Sequence, residues 1–224
     1  MSQWTPAIVA QLRRVQALRS ARDADPELRR RVDAIKQFQH ARFRHDYGFL
    51  LSDPRYARAA RFFLEELYAA EDFAQRDAEF ERVIPWMARL LPDSVMATIA
   101  DLIDLHALTE ELDQQMADAL PSAAVDNETY RAAWLVVDRR VDRGRQLALL
   151  LAVGRELDRH TRSKPLVATL RLMRRPAKAS GLGRLQAFLE TGMAAFAAMR
   201  GAQDFLRVIE ANETRVIEAL FENE

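Results

Sequence analysis

Cysteine is absent from the sequence. Disulfide bonds, thiolate nucleophiles and cysteine-ligated zinc sites are therefore excluded. No run approaches the roughly 18 apolar residues that suggest a membrane span, and the N-terminus is amphipathic rather than a signal peptide. We therefore expect no transmembrane segment, and the missing cysteine suits the cytoplasm as the predicted location.

Glycine and proline are also scarce, at 7 and 8 of 224 residues. No run of alternating β-branched residues suggests a strand. Apolar residues instead recur at three- and four-residue steps, which is the spacing of one face of an α-helix. The sequence predicts an all-α fold, a single-domain multi-helix bundle of about eight or nine helices over residues 1–224.

Caps and breakers indicate where these helices begin and end. Asp25 and Asp53 each precede a proline, which predicts helix starts. Gly48 is expected to end the second helix, and Asp72 to cap the helix after the third. Pro85 should kink or split that helix, because proline removes one backbone donor and crowds the previous turn.

The second half of the chain predicts a long helix over about 93–120 and a further helix after Asp126. That further helix either continues to His160 or is split near Gly144. A short helix should follow Pro165. Two closing helices, over about 185–199 and 202–221, are separated by Gly201.

The stretch RFFLEELYAAEDFAQRD, residues 61–77, combines aromatic and acidic side chains. On a regular helix Phe63 and Leu67 share one face, while Phe62 and Glu66 share the adjacent one. In one interpretation the Phe and Leu residues are core, and the glutamates lie at its edge.

A second interpretation makes Glu65 or Glu66 a buried carboxylate held by Arg76 or Arg82 of the next helix, because an unpaired buried charge is very costly. The motif would then line a functional pocket. The predicted pocket residues are Phe62, Phe63, Glu65, Glu66, Tyr68 and His106.

Four segments resemble one bacterial family. FFLEELY, the following DFAQRDAEFERVIP, and the later DLHALTEELD and LRLMRRPAKASGLG are similar to the FFLEELY motif protein family, and the likeness extends from end to end. The resemblance implies an all-helical bacterial protein. It implies no activity, substrate or cofactor.

A metal site is a further hypothesis, although the four histidines form no Glu-x-x-His motif. His106 follows apolar residues on its helix and lies four residues before Glu110. It is either a hydrogen-bonded residue at the core's edge or a metal ligand together with Glu110 and Glu65 or Glu66. No nucleophile elbow or phosphate loop occurs, so we predict no cofactor and leave open whether the protein is an enzyme.

Charge is balanced overall, with 33 basic and 33 acidic residues, but it is divided into two blocks. Residues 159–189 contain no carboxylate, and residues 90–130 contain no lysine or arginine. The basic block contains Arg159, Arg162, Lys164, Arg171, Arg174, Arg175, Lys178 and Arg184.

Three interpretations of the blocks stay open. They neutralise each other within the fold, or they join the chain to a protein partner or a second copy. In the third, Arg171, Arg174, Arg175 and Lys178 bind an anion, which would be a phosphorylated ligand, an acidic membrane surface or nucleic acid. Nucleic acid is disfavoured, because Phe188 is the one aromatic residue of the basic block that could stack on bases.

Two hypotheses of function result. The first is a non-enzymatic binding or protein-interaction module that contacts anions through its basic segment. The alternative is a helical-bundle enzyme or ligand carrier with a pocket near the FFLEELY motif, with or without a metal.

Overall fold

The computed structural model describes residues 3–67 and 74–222, and every regular element in these ranges is helical. The predicted all-α class is confirmed. The helices are α1 (Thr5–Ala24), α2 (Pro26–Asp46), α3 (Gly48–Ser52), α4 (Ala57–Phe62), α5 (Ala74–Leu90), α6 (Asp93–Ala119), α7 (Asn127–Val137), α8 (Arg140–Thr161), α9 (Lys164–Leu172), α10 (Arg174–Ala179), α11 (Gly183–Met199) and α12 (Gln203–Phe221). A π-helical segment, Phe63–Leu67, follows α4.

The described residues contain more helices than the eight or nine predicted, because α3, α4 and α10 have only five or six residues each. Such pieces are too short to show a hydrophobic period. The prediction that Gly48 ends the second helix is wrong. That helix ends one residue before Tyr47, whose N–H donates to the carbonyl of Phe43, and Gly48 begins α3.

The predicted caps are partly confirmed. The Asp25 carboxylate accepts hydrogen bonds from the backbone N–H groups of the first turn of α2 at 3.0 and 3.1 Å. The Asp53 carboxylate accepts from the N–H of Arg55 at 2.7 Å, but α4 itself begins only at Ala57. Pro85 does not split its helix, since it lies within the single helix α5. Asp72 lies outside the described residues.

The open question at Gly144 is settled in favour of two helices. Asp126 caps α7 in a capping box with Thr129, and the helix ends at Asp138 with φ of 43°. Gly144 lies inside α8. At the predicted break between α11 and α12, Gly201 has φ of 124°, a conformation that glycine adopts without strain.

Helix α6 occupies the centre of the fold, where it packs against α1, α2, α5, α7 and α8. Helix α11 packs against α4, α5, α8, α9 and α10. Within the described ranges, no helix combines the length and apolar character needed to cross a bilayer. Two cavities, each lined in part by α6 and α8, carry the candidate site.

Candidate functional site

The FFLEELY motif does not lie on a regular α-helix as expected. Phe62 ends α4, and Phe63–Leu67 forms a π-helical turn, a local feature that is frequent at functional sites. Phe62 and Phe63 are 3% and 1% exposed, so the interpretation of these phenylalanines as core residues is confirmed. Phe63 packs edge-on against Phe205, with ring centroids 5.3 Å apart. Tyr68 lies outside the described residues.

The two motif glutamates differ from the predicted buried carboxylate. Glu65 is exposed, so this prediction is wrong for Glu65, whereas Glu66 is half-buried. Arg82 donates to the backbone carbonyls of residues 180 and 181, at 3.3 and 2.8 Å, and not to Glu65. It thereby fastens the turn after α10 to α5. The side chain of Arg76 is not among those described.

A large apolar cavity of about 770 Å³ lies between α5, α6, α8, α11 and the short helices α9 and α10. Its volume is within the usual range of small-molecule sites, roughly 300–1,000 Å³. Phe62 and Phe63 form part of its wall. Other lining residues include Val83, Met87, Val95, Ile99, Leu102, Leu105, Leu150, Val153, Leu157, Leu166, Leu170, Met173, Leu185, Phe188, Leu189, Met193 and Phe196.

Helices α9 and α10, which we call the cover helices, form one wall of this apolar cavity. Leu166, Leu170 and Met173, at helical spacing, line the cavity and are half-buried. Their predicted alignment on one side of the helix is confirmed. All four predicted anion-contacting residues of the cover helices are exposed: Arg171, Arg174, Arg175 and Lys178.

The buried polar side chains of the apolar cavity are bonded within the protein. Thr98 Oγ1 and His160 Nε2 lie 3.0 Å apart in a hydrogen bond, and burial lowers the pKa of His160 below its ordinary value. Gln186 Nε2 donates to the carbonyl of Leu170 at 2.7 Å, which ties α11 to the cover helices. The neutral form of His160 is therefore favoured, and the interior of the cavity is apolar.

A second, polar cavity of about 120 Å³ shares a wall with the first, made by Leu102, Leu105, Leu150 and Phe188. Charged and polar side chains from several helices converge on it. They are Lys36, Gln39, Arg42, Glu66, Asp77, His106, Thr109, Glu110, Asp113, Tyr130, Arg143, Gln146 and Glu213.

The predicted pocket residues are therefore divided between two cavities. Phe62 and Phe63 line the apolar cavity, whereas Glu66 and His106 line the polar one. His106 is only 14% exposed at its side chain, and Glu66 is half-buried, so neither faces solvent freely. The structure does not bring the predicted set together into one pocket.

One face of α6 supplies the polar cavity with His106, Glu110 and Asp113, at four- and three-residue steps. His106 Nε2 forms a hydrogen bond with Asp77 Oδ2 at 2.8 Å. Arg19 forms an ion pair with the same Asp77 oxygen at 2.7 Å. The interpretation of His106 as a hydrogen-bonded residue at the core's edge agrees with this arrangement.

Glu110 is buried between two cations. Its carboxylate pairs with Arg22 of α1 and accepts from Lys36 Nζ of α2 at 2.6 Å. Burial alone would raise the pKa of Glu110, but Lys36, His106 and Arg22 together lower it well below its ordinary value. Glu110 is therefore held as a carboxylate.

Asp113 lies one turn further along α6 and is 1% exposed. Gln39 Nε2 donates to its Oδ1 at 2.9 Å. Burial raises the pKa of Asp113 above its ordinary value, although Lys36 and Gln39 oppose this. The pKa values of two carboxyl groups on one helix face are thus shifted in opposite directions, that of Glu110 downward by its cations and that of Asp113 upward by burial.

The metal hypothesis has no support in the part of the chain that is described, where no group of three or more His, Asp or Glu side chains could hold an ion. Glu110 is occupied by two cations, and Glu65 is exposed. Sequence reasoning missed the partners Arg22, Lys36 and Asp77. A polar stripe on an otherwise apolar helix predicts that such partners exist, but it does not identify them.

The acidic block finds its cations on α1, α2 and α8. Besides Glu110, Asp104 pairs with Arg145, and Glu111 pairs with Arg14. In the basic block, Arg174 pairs with Glu190 at 2.9 Å. These ion pairs do not support the interpretation that the two blocks neutralise each other.

Comparisons with known proteins place the chain in a family but suggest no activity. No curated protein and no solved structure matches it. A family model described as a domain of unknown function, DUF8198, matches residues 18–224. The chain therefore belongs to the DUF8198 family.

Proposed function

We propose that the protein is a non-enzymatic carrier that binds an elongated, mostly apolar ligand in the apolar cavity. This is the ligand-carrier form of the pocket hypothesis, and Phe62 and Phe63 of the FFLEELY motif contribute to the wall. The observation that supports it is the apolar cavity itself, about 770 Å³ in volume and lined mainly by Leu, Ile, Val, Met and Phe.

Packing physics favours a ligand in this space. Protein interiors are close-packed, with few voids larger than a water molecule. Unfilled space beside apolar side chains costs about 24 cal/mol per Å³. A ligand that removes this apolar surface from water gains roughly 25 cal/mol per Å². A cavity of about 770 Å³ is therefore a natural site for an apolar chain.

The distribution of charge indicates the ligand class. Burial favours the neutral form of His160, which is already hydrogen-bonded to Thr98. An ionised ligand group would therefore lose its hydration in the interior at high cost. Arg82 is the cation that lines the cavity, and its side chain is exposed. A single apolar chain with a carboxylate end, such as a fatty acid, would place its tail inside and its carboxylate near Arg82.

The polar cavity supports a carrier rather than an enzyme. Asp77 is bonded to Arg19 and His106, and Glu110 is bonded to Arg22 and Lys36. Each of these buried charges is held by its partners, and removing one partner would leave an uncompensated buried charge. We therefore assign the polar cavity a role in holding the fold.

Mass spectrometry of the purified protein tests the proposal first. Native spectra should show an extra mass in the range of a lipid, and denaturing spectra of the same sample should lack it. Titration of delipidated protein with a fluorescent fatty acid then measures the affinity. A wild-type protein that binds no fatty acid and carries no lipid would overturn the proposal.

A pair of variants on one helix localises the binding. Leu170 lines the cavity, and Leu172 is exposed on the same helix α9. Leu170→Trp should weaken fatty-acid binding at least about tenfold, because its added volume occupies the cavity and each 1.4 kcal/mol is a factor of ten. Leu172→Trp, the matched control, should bind as the wild type does. Equal binding by both variants would place the ligand elsewhere.

Several expectations from the sequence stand as proposals beside this one. They are the cytoplasmic location, the bacterial origin implied by the FFLEELY resemblance, and a protein partner or second copy at the charge blocks. The same native mass spectra give the oligomeric state of the purified protein, which tests whether a second copy binds at the charge blocks.

A further inference from the structure

We propose that the outer face of the cover helices docks on an anionic lipid bilayer, from which the apolar ligand enters the cavity. This inference rests on the proposed carrier function. It assigns a partner to the basic segment and a route to the cavity beneath it.

The outer face of the cover helices carries a cluster of exposed cations. Arg171, Arg175 and Lys178 are exposed and form no ion pair within the described ranges, whereas Arg174 pairs with Glu190. No carboxylate occurs anywhere in residues 159–189. Such a surface complements the negative potential of an anionic leaflet, which attracts lysine and arginine near the membrane surface.

An exposed apolar residue lies among these cations. Leu172 is 78% exposed at the end of α9, directly after Arg171 and three residues before Arg175. Interfacial helices combine basic residues with a few apolar side chains that enter the headgroup region. Leu172 supplies this contact while Leu166 and Leu170 stay directed to the cavity.

The cover helices are also the least buried wall of the apolar cavity. Helix α9 has no buried residue, and α10 has only Ala177. Specific hydrogen bonds tie this wall to the rest of the fold, namely Gln186 to the Leu170 carbonyl and Arg82 to the carbonyls of residues 180 and 181. Segments with few buried apolar contacts open at low free-energy cost. Docking therefore occurs on the wall that can move aside.

A bilayer fits this face better than nucleic acid does. Phe188, the aromatic residue of the basic block, is buried in the cavity wall and is not available to stack on bases. An apolar ligand is stored in membranes, so a carrier exchanges it there. The basic face lies over the cavity, so one surface both binds the bilayer and admits the ligand.

Vesicle sedimentation tests the docking. The full-length protein should bind vesicles of phosphatidylcholine mixed with phosphatidylglycerol, and not pure phosphatidylcholine vesicles. Binding should weaken as salt rises, because exposed charges are screened. The triple variant Arg171→Gln, Arg175→Gln, Lys178→Gln should lose about a hundredfold in affinity for the anionic vesicles, given the usual contribution of each cation.

A matched control removes the same number of charges from other helices. Arg13, Arg44 and Arg58 are exposed on α1, α2 and α4, and their replacement by Gln should leave vesicle binding within about twofold of wild type. Equal binding to both vesicle types, or equal losses in the two triple variants, would overturn the inference.

A separate measurement distinguishes failure of docking from failure of the carrier function. Without vesicles, the cover-helix triple variant should bind the fluorescent fatty acid as the wild type does. With vesicles, transfer of the fatty acid from anionic vesicles should be slowed in this variant alone. Fatty-acid binding without vesicle docking would refute this inference only. Docking without fatty-acid binding would refute the carrier function and support only the binding of the cover helices to the bilayer.

Discussion

The two cavities share a wall, yet they are lined by opposite kinds of side chain. The polar cavity, about 120 Å³, is surrounded by carboxylates and cations that bond to one another across α1, α2, α5 and α6. The apolar cavity, about 770 Å³, is surrounded mainly by Leu, Ile, Val, Met and Phe side chains. Buried charges must each find a counterpart, which requires their helices to lie close together, whereas apolar side chains impose no such pairing.

Helix α6 contributes to both cavities and changes character along its length. Val95, Ile99 and Leu102 in its first half line the apolar cavity. Glu110 and Asp113 in its second half line the polar one. One helix thus carries buried ion pairs at one end and lines an apolar cavity at the other.

The largest expected effect comes from breaking the polar cavity. Glu110→Ala leaves Arg22 and Lys36 buried without their shared carboxylate. Removing one partner from a buried ion pair costs about 3–5 kcal/mol. Denaturant unfolding at neutral pH should show this loss of unfolding free energy.

The control for this change is a surface pair. Glu27 pairs with Arg30 on the exposed side of α2, and Glu27→Ala should cost less than about 1 kcal/mol. A Glu110→Ala loss as small as that of Glu27→Ala would contradict a structural role for the polar cavity.

A pair of isoleucines tests the apolar side of the comparison with a smaller effect. Ile99 lines the apolar cavity, whereas Ile84 lies in the same core cluster but away from the cavity and is fully buried. Replacing Ile by Ala costs about 2–5 kcal/mol. Ile99→Ala should fall at the low end, because part of its surface faces open space, and Ile84→Ala at the high end.

Thermal and denaturant melts of the two delipidated variants measure this difference. Saturating fatty acid should increase the cost of Ile99→Ala and leave that of Ile84→Ala unchanged, since only Ile99 would contact the ligand. Equal costs without fatty acid would mean that the space beside Ile99 is closed in solution.

The smallest expected effect is a change in pH dependence. Burial raises the pKa of Asp113, so between the unfolded and the folded pKa the folded protein holds a proton that the unfolded chain has lost. Stability from this group is present below the unfolded pKa and falls as pH rises through the folded pKa. Asp113→Asn should remove this fall and raise stability at neutral pH, because Asn can still accept from Gln39.

Melting temperatures across an acid-to-neutral pH series test this sign. Asp118→Asn, at an exposed position on the same helix, should leave the slope as in the wild type. A variant at Asp113 that melts lower than wild type at neutral pH would show that the carboxylate stabilises the fold in its ionised form.

The helical class and many helix ends could be predicted, because they depend on short-range features. Asp25 and Asp126 cap their helices through bonds to the next three residues, and Gly201 separates the closing helices. The π-helical turn of the FFLEELY motif could not be predicted, since no residue in Phe63–Leu67 forbids an ordinary α-helix. For the same reason Phe62 and Glu66, which were predicted to share one helix face, line different cavities.

The candidate site was predicted only in part. Phe62 and His106 were identified as pocket residues, but they line different cavities. The partners of Glu110 were not identifiable, because Lys36 and Arg22 lie 74 and 88 residues away in the sequence. The alignment of Leu166, Leu170 and Met173 was visible in the sequence, whereas the cavity that they face was not.

By itself, the sequence determined the all-α class, the alignment of Leu166, Leu170 and Met173 on one side of a short helix, and the separation of charge into two blocks. These follow from hydrophobic period, capping and local composition, which act over a few residues. Only the tertiary structure decided which helices meet. It paired the acidic helix with α1, α2 and α8, left the basic face of the cover helices toward solvent, and formed the apolar cavity beneath them. The physical reason is that ion pairs and cavities depend on distances between helices that are far apart in sequence.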